Sequence, residues 1–515
     1  MSVFDRMYRR LFPGSALKRE IQRRRMERLQ NIRSLDVISG GRSRFTFNTN
    51  TTDINSEVAN SSSEIRKQMR QFELENGNIA GAFRRIKKNV IGSGIRVNAE
   101  ISAGDGISEA QAEKANSQIE KYMDVWNRQA DKRLMLPFYG ADGIQGIVEH
   151  ALLRDNEALV IGRNSGRKNR LIPYCLEVLE TDRLETPPGE LGNPRVSEGI
   201  RFDKEGAQEA FYVLKEHPGN TISAQRSDND YEEIPAYNSN GTKKVMFLFN
   251  PIRPEQTRAF SLMASALKDV QDADRVMEAE KLGALEDACM FGTVKTDNIA
   301  GWDSQVNTSS GSDEYDRIHE FAPNGIYYLS PGESLDVHRP VRPNQQFEPF
   351  MDLIWRGPAN SVDVPPEVFL QKWNGMNYSN ARTVLLQFYA TCRERQRFII
   401  NNLCYFVYEN VFRWLVIRGL VEANTFYSKE YDWMRHSWIP PGWQWIDPKK
   451  EADGKEVEVN LGTETVSDII LSQGQDPKVK LERRAKELKY IKELESKYGV
   501  EMSTKTHVKE VNQDD

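Results

Sequence analysis

The sequence lacks the signatures of the common enzyme classes. It contains no G-x-x-x-x-G-K-[ST] phosphate-binding loop, no G-x-S-x-G nucleophile elbow and no H-E-x-x-H zinc motif among its six histidines. The segment Gly92-Ser93-Gly94 lacks the third glycine of a dinucleotide-binding turn, so we interpret it as a tight entry to a strand. These absences argue against catalysis, a cofactor or a metal centre, and favour a structural or binding role.

Cysteine and long apolar runs are also scarce. The four cysteines, Cys175, Cys289, Cys392 and Cys404, form no C-x-x-C pair, and reduced, buried thiols in a cytoplasmic protein are the simplest interpretation. No run approaches the roughly 18 apolar residues that a membrane span needs. The first segment, MSVFDRMYRRLFPGS, lacks the apolar core of a signal peptide. We therefore expect no membrane partner, although the short amphipathic pattern of this segment also suits a membrane surface.

Positive charge is not in excess. The chain has 70 Lys and Arg against 75 Asp and Glu, which gives a net charge of -5. A protein that holds nucleic acid through its phosphates is usually basic over the binding domain, because neutralised phosphates release counterions. The charge balance argues against a tight nucleic-acid binder but allows a surface over which DNA slides.

The N-terminal region differs in composition from the rest. Residues 1–44 carry twelve Lys and Arg against four acids, and residues 45–63 are rich in Ser, Thr and Asn without periodicity. This composition predicts a basic, flexible arm over residues 1–63. A solvated helix end and a contact with another subunit or with DNA are equally good interpretations of the basic part.

Apolar periodicity beyond the arm predicts a mixture of helices and strands. Apolar residues at three- and four-residue spacing predict two short helices separated around Asn76-Gly77. The same spacing predicts further helices over 107–130, 142–154, 261–290, 347–357, 379–418 and 478–499. Short β-like runs between Glu157 and about Phe249, separated by Pro- and Gly-rich turns, predict a small antiparallel sheet. The predicted fold class is α+β, and 515 residues exceed a single core.

Six segments, in order, follow one known pattern. They are GNIAGAFRRIKKNVIGSGIRV (77–97), AFYVLKEHPG (210–219), FNPIRPEQTRAF (249–260), PNGIYYLSPGESLDVHRPVRPNQQFEPFM (323–351), NYSNARTVLLQF (377–388) and IPPGWQWIDPKKEADGKEVEVNLG (439–462). Together they resemble the lambda-type portal proteins of tailed bacteriophages over about residues 64–500. Glu255, Ala259 and the extra Pro366 depart from the family's usual residues, which concerns local turns.

The resemblance implies a structural protein and not an enzyme. It implies a ring of twelve subunits at one vertex of the capsid, which forms a channel for double-stranded DNA during packaging and ejection. The implied partners are DNA without sequence specificity, the terminase large subunit, the major capsid protein and a head–tail adaptor. The implied location is the virion, after assembly in the host cytoplasm. The alternatives are a DNA-processing enzyme with an unrecognised site and a monomeric or dimeric scaffold-like capsid protein.

The resemblance also implies a portal fold with a wing, a two-helix stem, a clip and a helical crown. Carried onto this chain, the subdivision is the arm at 1–63, wing at 64–260, first stem helix at 261–290, clip at 291–346, second stem helix at 347–361, tunnel loop at 362–378, wing return at 379–448 and crown at 449–515.

Two candidate sites would face the channel. The predicted stem helix has seven acids against three bases, and the candidates on it are Asp269, Asp272, Glu278 and Glu286. An acidic wall would repel phosphate. DNA would then form no contacts with the wall that have to be broken at every step. From the residues alone, an ordinary exposed helix explains these acids better than a channel wall does. The family resemblance makes the channel wall the preferred interpretation. The tunnel-loop candidates are Lys372, Trp373, Asn374 and Asn377, with packing of Trp373 as its alternative.

A basic face follows on the next helix. It consists of Arg382, Tyr389, Arg393 and Arg397, which lie within about a quarter turn of one another. This face suits phosphate or the acids of a neighbouring subunit, and we favour the neighbour because a ring needs many such contacts. Four tryptophans lie further on, Trp433, Trp438, Trp443 and Trp445. They have the composition of a single-strand stacking platform, but we favour a hydrophobic joint between wing and crown.

Overall fold

The structure is a computed structural model that describes residues 53–104, 106–220, 226–289, 292–296, 333–337, 346–443 and 448–499. The chain forms two compact units. The first combines Met1–Leu262 with Glu367–Asp515, and the second is Met263–Pro366. Helices and antiparallel strands occur in both units, which confirms the mixed α+β class.

The first two helices are separated by a residue that ends one and begins the next. Helix α1 spans Ile54–Glu75 and α2 spans Gly77–Ile91. The side chain of Asn76 accepts hydrogen bonds from the backbone N–H of Asn78 and Ile79 at 3.0 and 3.2 Å, as an N-cap does. The predicted break at this position is confirmed.

The predicted extent of the flexible arm is wrong at its C-terminal end. Helix α1 begins at Ile54 and not near residue 63, with Asp53 as its N-cap. The Ser- and Asn-rich stretch forms a helix because Val58, Ser61 and Ser62 lie on its buried side, so tertiary packing outweighs weak helix propensity. Residues 1–52 lie outside the described part of the chain.

Helices α3 (Glu109–Asn127) and α4 (Ile144–Arg154) confirm the predictions over 107–130 and 142–154. A capping box begins α3: the Ser108 hydroxyl accepts from the Gln111 N–H, and the Gln111 side chain accepts from the Ser108 N–H. The two helices pack in the first unit beside the strands that follow.

The strands between Glu157 and Phe249 form two antiparallel sheets, where the sequence predicted one. The first sheet has the order β3 (Tyr174–Leu179), β2 (Glu157–Asn164), β8 (Val245–Phe249). The second has the order β4 (Val196–Ser197), β5 (Ile200–Phe202), β6 (Gln208–Leu214), β7 (Tyr231–Pro235). Both contribute to one core, in which Leu159 and Ile161 pack with Phe211 and Val213. Alternation along each strand predicts its buried face but not its partner.

A further strand pair joins distant parts of the chain. Strand β1 (Arg96–Ala99) pairs antiparallel with β11 (His436–Ile439). Their side chains also connect, because Asn98 donates to the Ser437 hydroxyl at 3.1 Å across 339 positions of sequence.

The long helix predicted over 379–418 is present with an irregular centre. Helix α8 spans Tyr378–Ile399, a π-helical turn spans Ile400–Cys404, and α9 spans Tyr405–Ile417. A π turn rotates the buried stripe relative to a regular helix, and Leu403 and Cys404 lie buried within it. A short helix α10 (Glu430–Trp433) precedes β11.

The second unit contains a helix pair and a two-stranded ladder. Helices α5 (Leu267–Cys289) and α6 (Phe347–Ser361) confirm the helices predicted from spacing over 261–290 and 347–357. Leu262–Ala266 forms a 3₁₀ segment before α5, and α6 ends four residues later than predicted. Strands β9 (Gly292–Thr296) and β10 (Glu333–Val337) pair antiparallel. The remainder of 291–345 lies outside the described residues.

The predicted loop over 362–378 contains a helical turn, α7 (Pro366–Leu370), which the sequence analysis did not predict. The turn forms because Val368 and Phe369 are buried. The C-terminal region has three helices, α11 (Pro448–Asn460), α12 (Val466–Ser472) and α13 (Pro477–Tyr498), and none of their residues is buried. No helix in the described ranges is both long and apolar enough to cross a membrane.

Candidate functional site

The acidic residues of α5 do not share one face. The carboxylate of Asp269 occupies the space where a Cβ at Gly357 of α6 would lie, so Asp269 is directed at its partner helix. Glu278 follows nine residues later, on the opposite face at 100° per residue, and is exposed. Asp272 lies 4.0 Å from Arg275 on the same helix. The side chain of Glu286 lies outside the described residues.

The tunnel-loop candidates have two different roles in the structure. Asn377 is the N-cap of α8, because its side chain accepts a hydrogen bond from the Asn380 N–H at 2.9 Å. Asn374 is exposed, and Trp373 is 39% exposed, so its indole is partly covered within the subunit. The backbone N–H of Lys372 donates to the Glu367 carbonyl at 2.9 Å, closing the turn at the end of α7.

The basic face of α8 contacts its own chain. The ring of Tyr389 stacks on Trp443 with centroids 4.5 Å apart and an interplanar angle of 14°. The guanidinium of Arg393 lies 5.5 Å from the centroid of the same indole, and Arg382 lies 3.8 Å from Glu451. Three of the four residues therefore have partners within the subunit. Trp443 lies just before the C-terminal helices, and Glu451 lies in the first of them, α11. The fourth residue, Arg397, is exposed, as are Arg382 and Arg393.

This outcome has a physical reason. Helical periodicity identifies which residues share a face, but not which element covers it.

Trp433 and Trp438 are buried, and the indole N–H of Trp433 donates to the Thr425 hydroxyl at 3.0 Å. Trp433 and Trp438 are therefore packed side chains and are not displayed as a platform for bases. Trp445 lies outside the described residues.

A buried ionic cluster, which the sequence analysis did not identify, lies where the chain leaves the first unit. Glu157 is fully buried and accepts hydrogen bonds from Arg258 Nε and Nη2 at 2.8 and 2.7 Å. It also accepts from Arg66 Nη1 at 3.3 Å and from the Ala259 N–H at 2.6 Å. Arg258 further donates to the backbone carbonyls of Glu198 and Thr181. These bonds fix the segment that precedes Leu262.

The electrostatics of the cluster favour ionised groups. Burial alone would raise the pKa of Glu157, but the charges and hydrogen bonds of Arg258 and Arg66 outweigh it and hold that pKa below its usual range. The only sequence signal for the cluster is an acid at the start of the apolar run EALVIGR.

One group in the described part of the chain has the spacing of metal ligands. Ligand atoms of Glu180, Asp182 and His217 all lie within 4.8 Å of one another. Arg66 and Arg70 contact the Asp182 carboxylate, and Arg70 also lies 3.8 Å from Glu180. Since guanidinium groups already supply the positive charge that these carboxylates need, we interpret the group as an extension of the ionic cluster.

The described residues therefore present buried ion pairs, a helix pair with an exposed acid, and C-terminal helices without a buried face. The buried ion pairs hold separate elements of the first unit together. A sequence model described as "Phage portal protein, lambda family" matches residues 40–396. The chain belongs to this family.

Curated relatives agree with the family match. The chain is 24% identical over 484 residues to a "Probable portal protein" of Halomonas phage phiHAP-1, covering 92% of this chain and 89% of the relative. It is 21% identical over 355 residues to "Portal protein B" of Escherichia phage lambda, covering 64% and 65%.

Solved structures show a weaker likeness. A chain of the "Neck of empty GTA particle computed with C6 symmetry" matches with a TM-score of 0.47 and 11% identity, covering 86% of this chain and 99% of that one. A chain of the "Neck of native GTA particle computed with C12 symmetry" matches with a TM-score of 0.41 and 12% identity, covering 80% and 93%.

Proposed function

We propose that this protein is the ring subunit of a phage portal, with twelve copies at one capsid vertex. The ring conducts double-stranded DNA during packaging and ejection, docks the terminase large subunit and joins the head to the tail through an adaptor. It contacts the major capsid protein in the virion, after assembly in the host cytoplasm. The observation that carries the proposal is the match to the portal family over residues 40–396.

The division of the chain supports the proposed assignment of its parts. Residues 64–260 and 379–448 belong to one compact unit, in keeping with a wing that the chain leaves and re-enters. The second unit holds the helices α5 and α6 with the β9–β10 ladder, in keeping with a stem and a clip. Helices α11 to α13 form the proposed crown.

Exposed apolar side chains on the stem helices support assembly. Leu282 and Leu285 on α5 and Phe350 and Leu353 on α6 are each at least half exposed. Large exposed apolar patches mark interaction sites, and these four side chains would contribute to such a patch. In a closed ring each subunit has two neighbours. The stem helices of these neighbours would cover the sides of its own stem helices.

The proposed mechanism of transport is electrostatic and includes no bond chemistry. Exposed acids such as Glu278, repeated around a ring, would repel the phosphates of DNA on the channel axis. DNA would then slide without counterion-releasing contacts that have to be broken at each step. The ATP that drives packaging would be hydrolysed by the separate terminase.

The proposal is tested by the mass of the purified protein. Native mass spectrometry is expected to show a species of about a dozen chains, and a view along the particle axis should show a central channel. A monomer at every concentration would contradict it. Nuclease or ATPase activity that disappears on mutation of a single acid would favour the DNA-processing alternative.

A further inference from the structure

One loop of the first unit combines a rigid base with an exposed tip. Residues 132–137, here the 132–137 loop, lie in the connection between α3 and α4. The Asp131 carboxylate accepts a hydrogen bond from the Met135 N–H at 3.1 Å, and the Asp131 carbonyl accepts from the Leu134 N–H at 3.0 Å. Buried Arg170 donates to the carbonyls of Asp131 and Lys132. These bonds hold the loop in one conformation.

The tip of this loop is both apolar and basic. Met135 is 75% exposed, and Arg133 beside it is exposed. Leu134 between them has φ +61°, a left-handed conformation that is costly for a bulky side chain. Strained residues persist where the surrounding structure fixes them, and they concentrate at functional sites. The strain here directs a methionine and an arginine into solvent.

A cavity of the first unit is lined by aromatic and acidic side chains. It has a volume of about 800 Å³ and is lined by Tyr405, Tyr431 and Met434, together with the acids Glu409, Glu430 and Asp432. We name it the tyrosine pocket. Arg435 is the only Lys or Arg in its lining, so the lining is acidic overall.

The side chains at its rim are available for contact. Tyr431 is 94% exposed and Tyr405 43% exposed, so the pocket offers aromatic surface to a partner. Arg413 lies within salt-bridge distance of both Glu409 and Glu430. Asp432 is exposed and forms no ion pair within the described ranges of the chain.

We propose that the 132–137 loop of one subunit inserts into the tyrosine pocket of the next subunit in the ring. Met135 would pack against Tyr405 and Tyr431, and Arg133 would pair with Asp432. This contact rests on the proposed ring and adds to it the identity of one pair of joined surfaces.

Symmetry and chemistry support this pairing. A head-to-tail ring needs two different, complementary patches on each subunit, whereas two acidic pockets or two basic loops would repel each other. Methionine sulfur packs favourably against aromatic rings, and an arginine binds a carboxylate with charge-assisted hydrogen bonds. Because the loop is already held rigid, little conformational entropy is lost when it binds.

Charge reversal and its rescue test the contact. Arg133→Glu and Asp432→Arg are each expected to raise the concentration at which rings form by about tenfold, because like charges then meet. The double variant should return to within about twofold of the original protein. Lys168→Glu and Glu113→Lys change exposed charges outside both surfaces and serve as matched controls. Circular dichroism confirms that each variant folds.

A cross-link tests the same contact without relying on charge. One variant subunit carries Cys289→Ser and Met135→Cys, and the other carries Cys289→Ser and Tyr431→Cys. The two variants are co-expressed, and the mixture is oxidised. A disulfide-linked dimer on a denaturing gel, absent from either variant alone, supports the contact.

The failures of this inference and of the proposed function are distinguishable. Rings that form equally well in all charge variants and give no cross-linked dimer would overturn the pairing of these two surfaces while leaving the ring intact. A wild-type protein that forms no ring at all would overturn the proposed function itself.

Discussion

At the scale of single residues, the first unit depends on a few buried charges. Glu157 has no exposure to solvent, and Arg258 and Arg66 supply the hydrogen bonds that compensate for its desolvation. A complete buried ion pair contributes little to the free energy of unfolding compared with apolar residues of similar volume. Removal of one partner, however, leaves an uncompensated buried charge. The cluster also fixes the geometry of residues 258–261.

Glu157→Gln should therefore destabilise the protein strongly. It leaves Arg258 without its anionic partner, and we expect a loss of about 3–5 kcal/mol in the free energy of unfolding. Glu232→Gln is the matched control, because Glu232 also pairs with an arginine, Arg163, but is partly exposed. Its cost should be about 1 kcal/mol or less. Urea unfolding followed by circular dichroism measures both, and equal losses would contradict the role of burial.

The same cluster predicts a dependence on pH. The pKa of Glu157 is lower in the folded protein than in the unfolded chain, so its stabilising effect is complete above the unfolded value, about 4.3. The effect is lost as the pH falls through the folded value. Asp182 has the same sign, since Arg66 and Arg70 outweigh its burial and lower its pKa. Thermal melts at neutral and acidic pH should show a smaller acid-induced loss in Glu157→Gln than in the original protein.

At the scale of elements, the sequence predicted most of the helices because their signals are local. Asn76 caps and separates two helices, and Ser108 with Gln111 begins a third. The missed features have non-local causes. The early start of α1 depends on burial of Val58, and the partner of Tyr389 is a tryptophan 54 positions later in sequence. Channel-facing roles for the α5 acids remain predictions, with Asp269 directed at α6.

Reversal of charge on α5 tests its role in transport. Asp272→Lys combined with Glu278→Lys should leave ring assembly intact and impair packaging or ejection, because a basic wall would bind phosphate. The double reversal Glu109→Lys and Glu113→Lys on α3 changes the same number of acids to lysine and serves as the control. Unchanged packaging in the α5 variant, measured as DNA protected from nuclease in an assembly reaction, would show that this face does not meet DNA.

The contact of Trp443 with α8 has a consequence for the segment that follows it. Trp443→Ala removes both the stacking on Tyr389 and the cation–π contact with Arg393. Local opening of the C-terminal helices should become easier, and limited proteolysis beyond residue 443 should proceed several-fold faster. Tyr498→Ala, at the exposed end of α13, is the control and should cleave at the original rate.

At the scale of the whole molecule, the first unit is assembled from two separated stretches of the chain. Periodicity alone does not predict this, because helix and strand patterns carry no information on long-range partners. The prediction that 379–448 returns to the same subdomain as 64–260 came from the family resemblance. It stays a prediction, and both ranges lie in the first compact unit.

Truncation tests whether the C-terminal helices or the β1–β11 strand pair stabilises the first unit. Removal of 448–515 should change the melting temperature little, since α11 to α13 bury none of their residues. Removal of 436–515 also deletes β11 with buried Trp438 and Ile439, and should lower the melting temperature substantially. Similar melting temperatures for the two truncations would show that the β1–β11 pair is dispensable.

The β1–β11 pair also constrains when the protein becomes competent to assemble. The ribosome makes Asn98 early and Ser437 only after 339 further positions, so β1 has no strand partner for most of synthesis. Domains form as units during translation, and a pairing that closes so long a loop comes late. A nascent chain therefore completes its first unit only when nearly all of it has been made. In the proposed ring, a chain that stops before residue 436 would lack this strand pair, and we expect such a chain to be excluded from assembly.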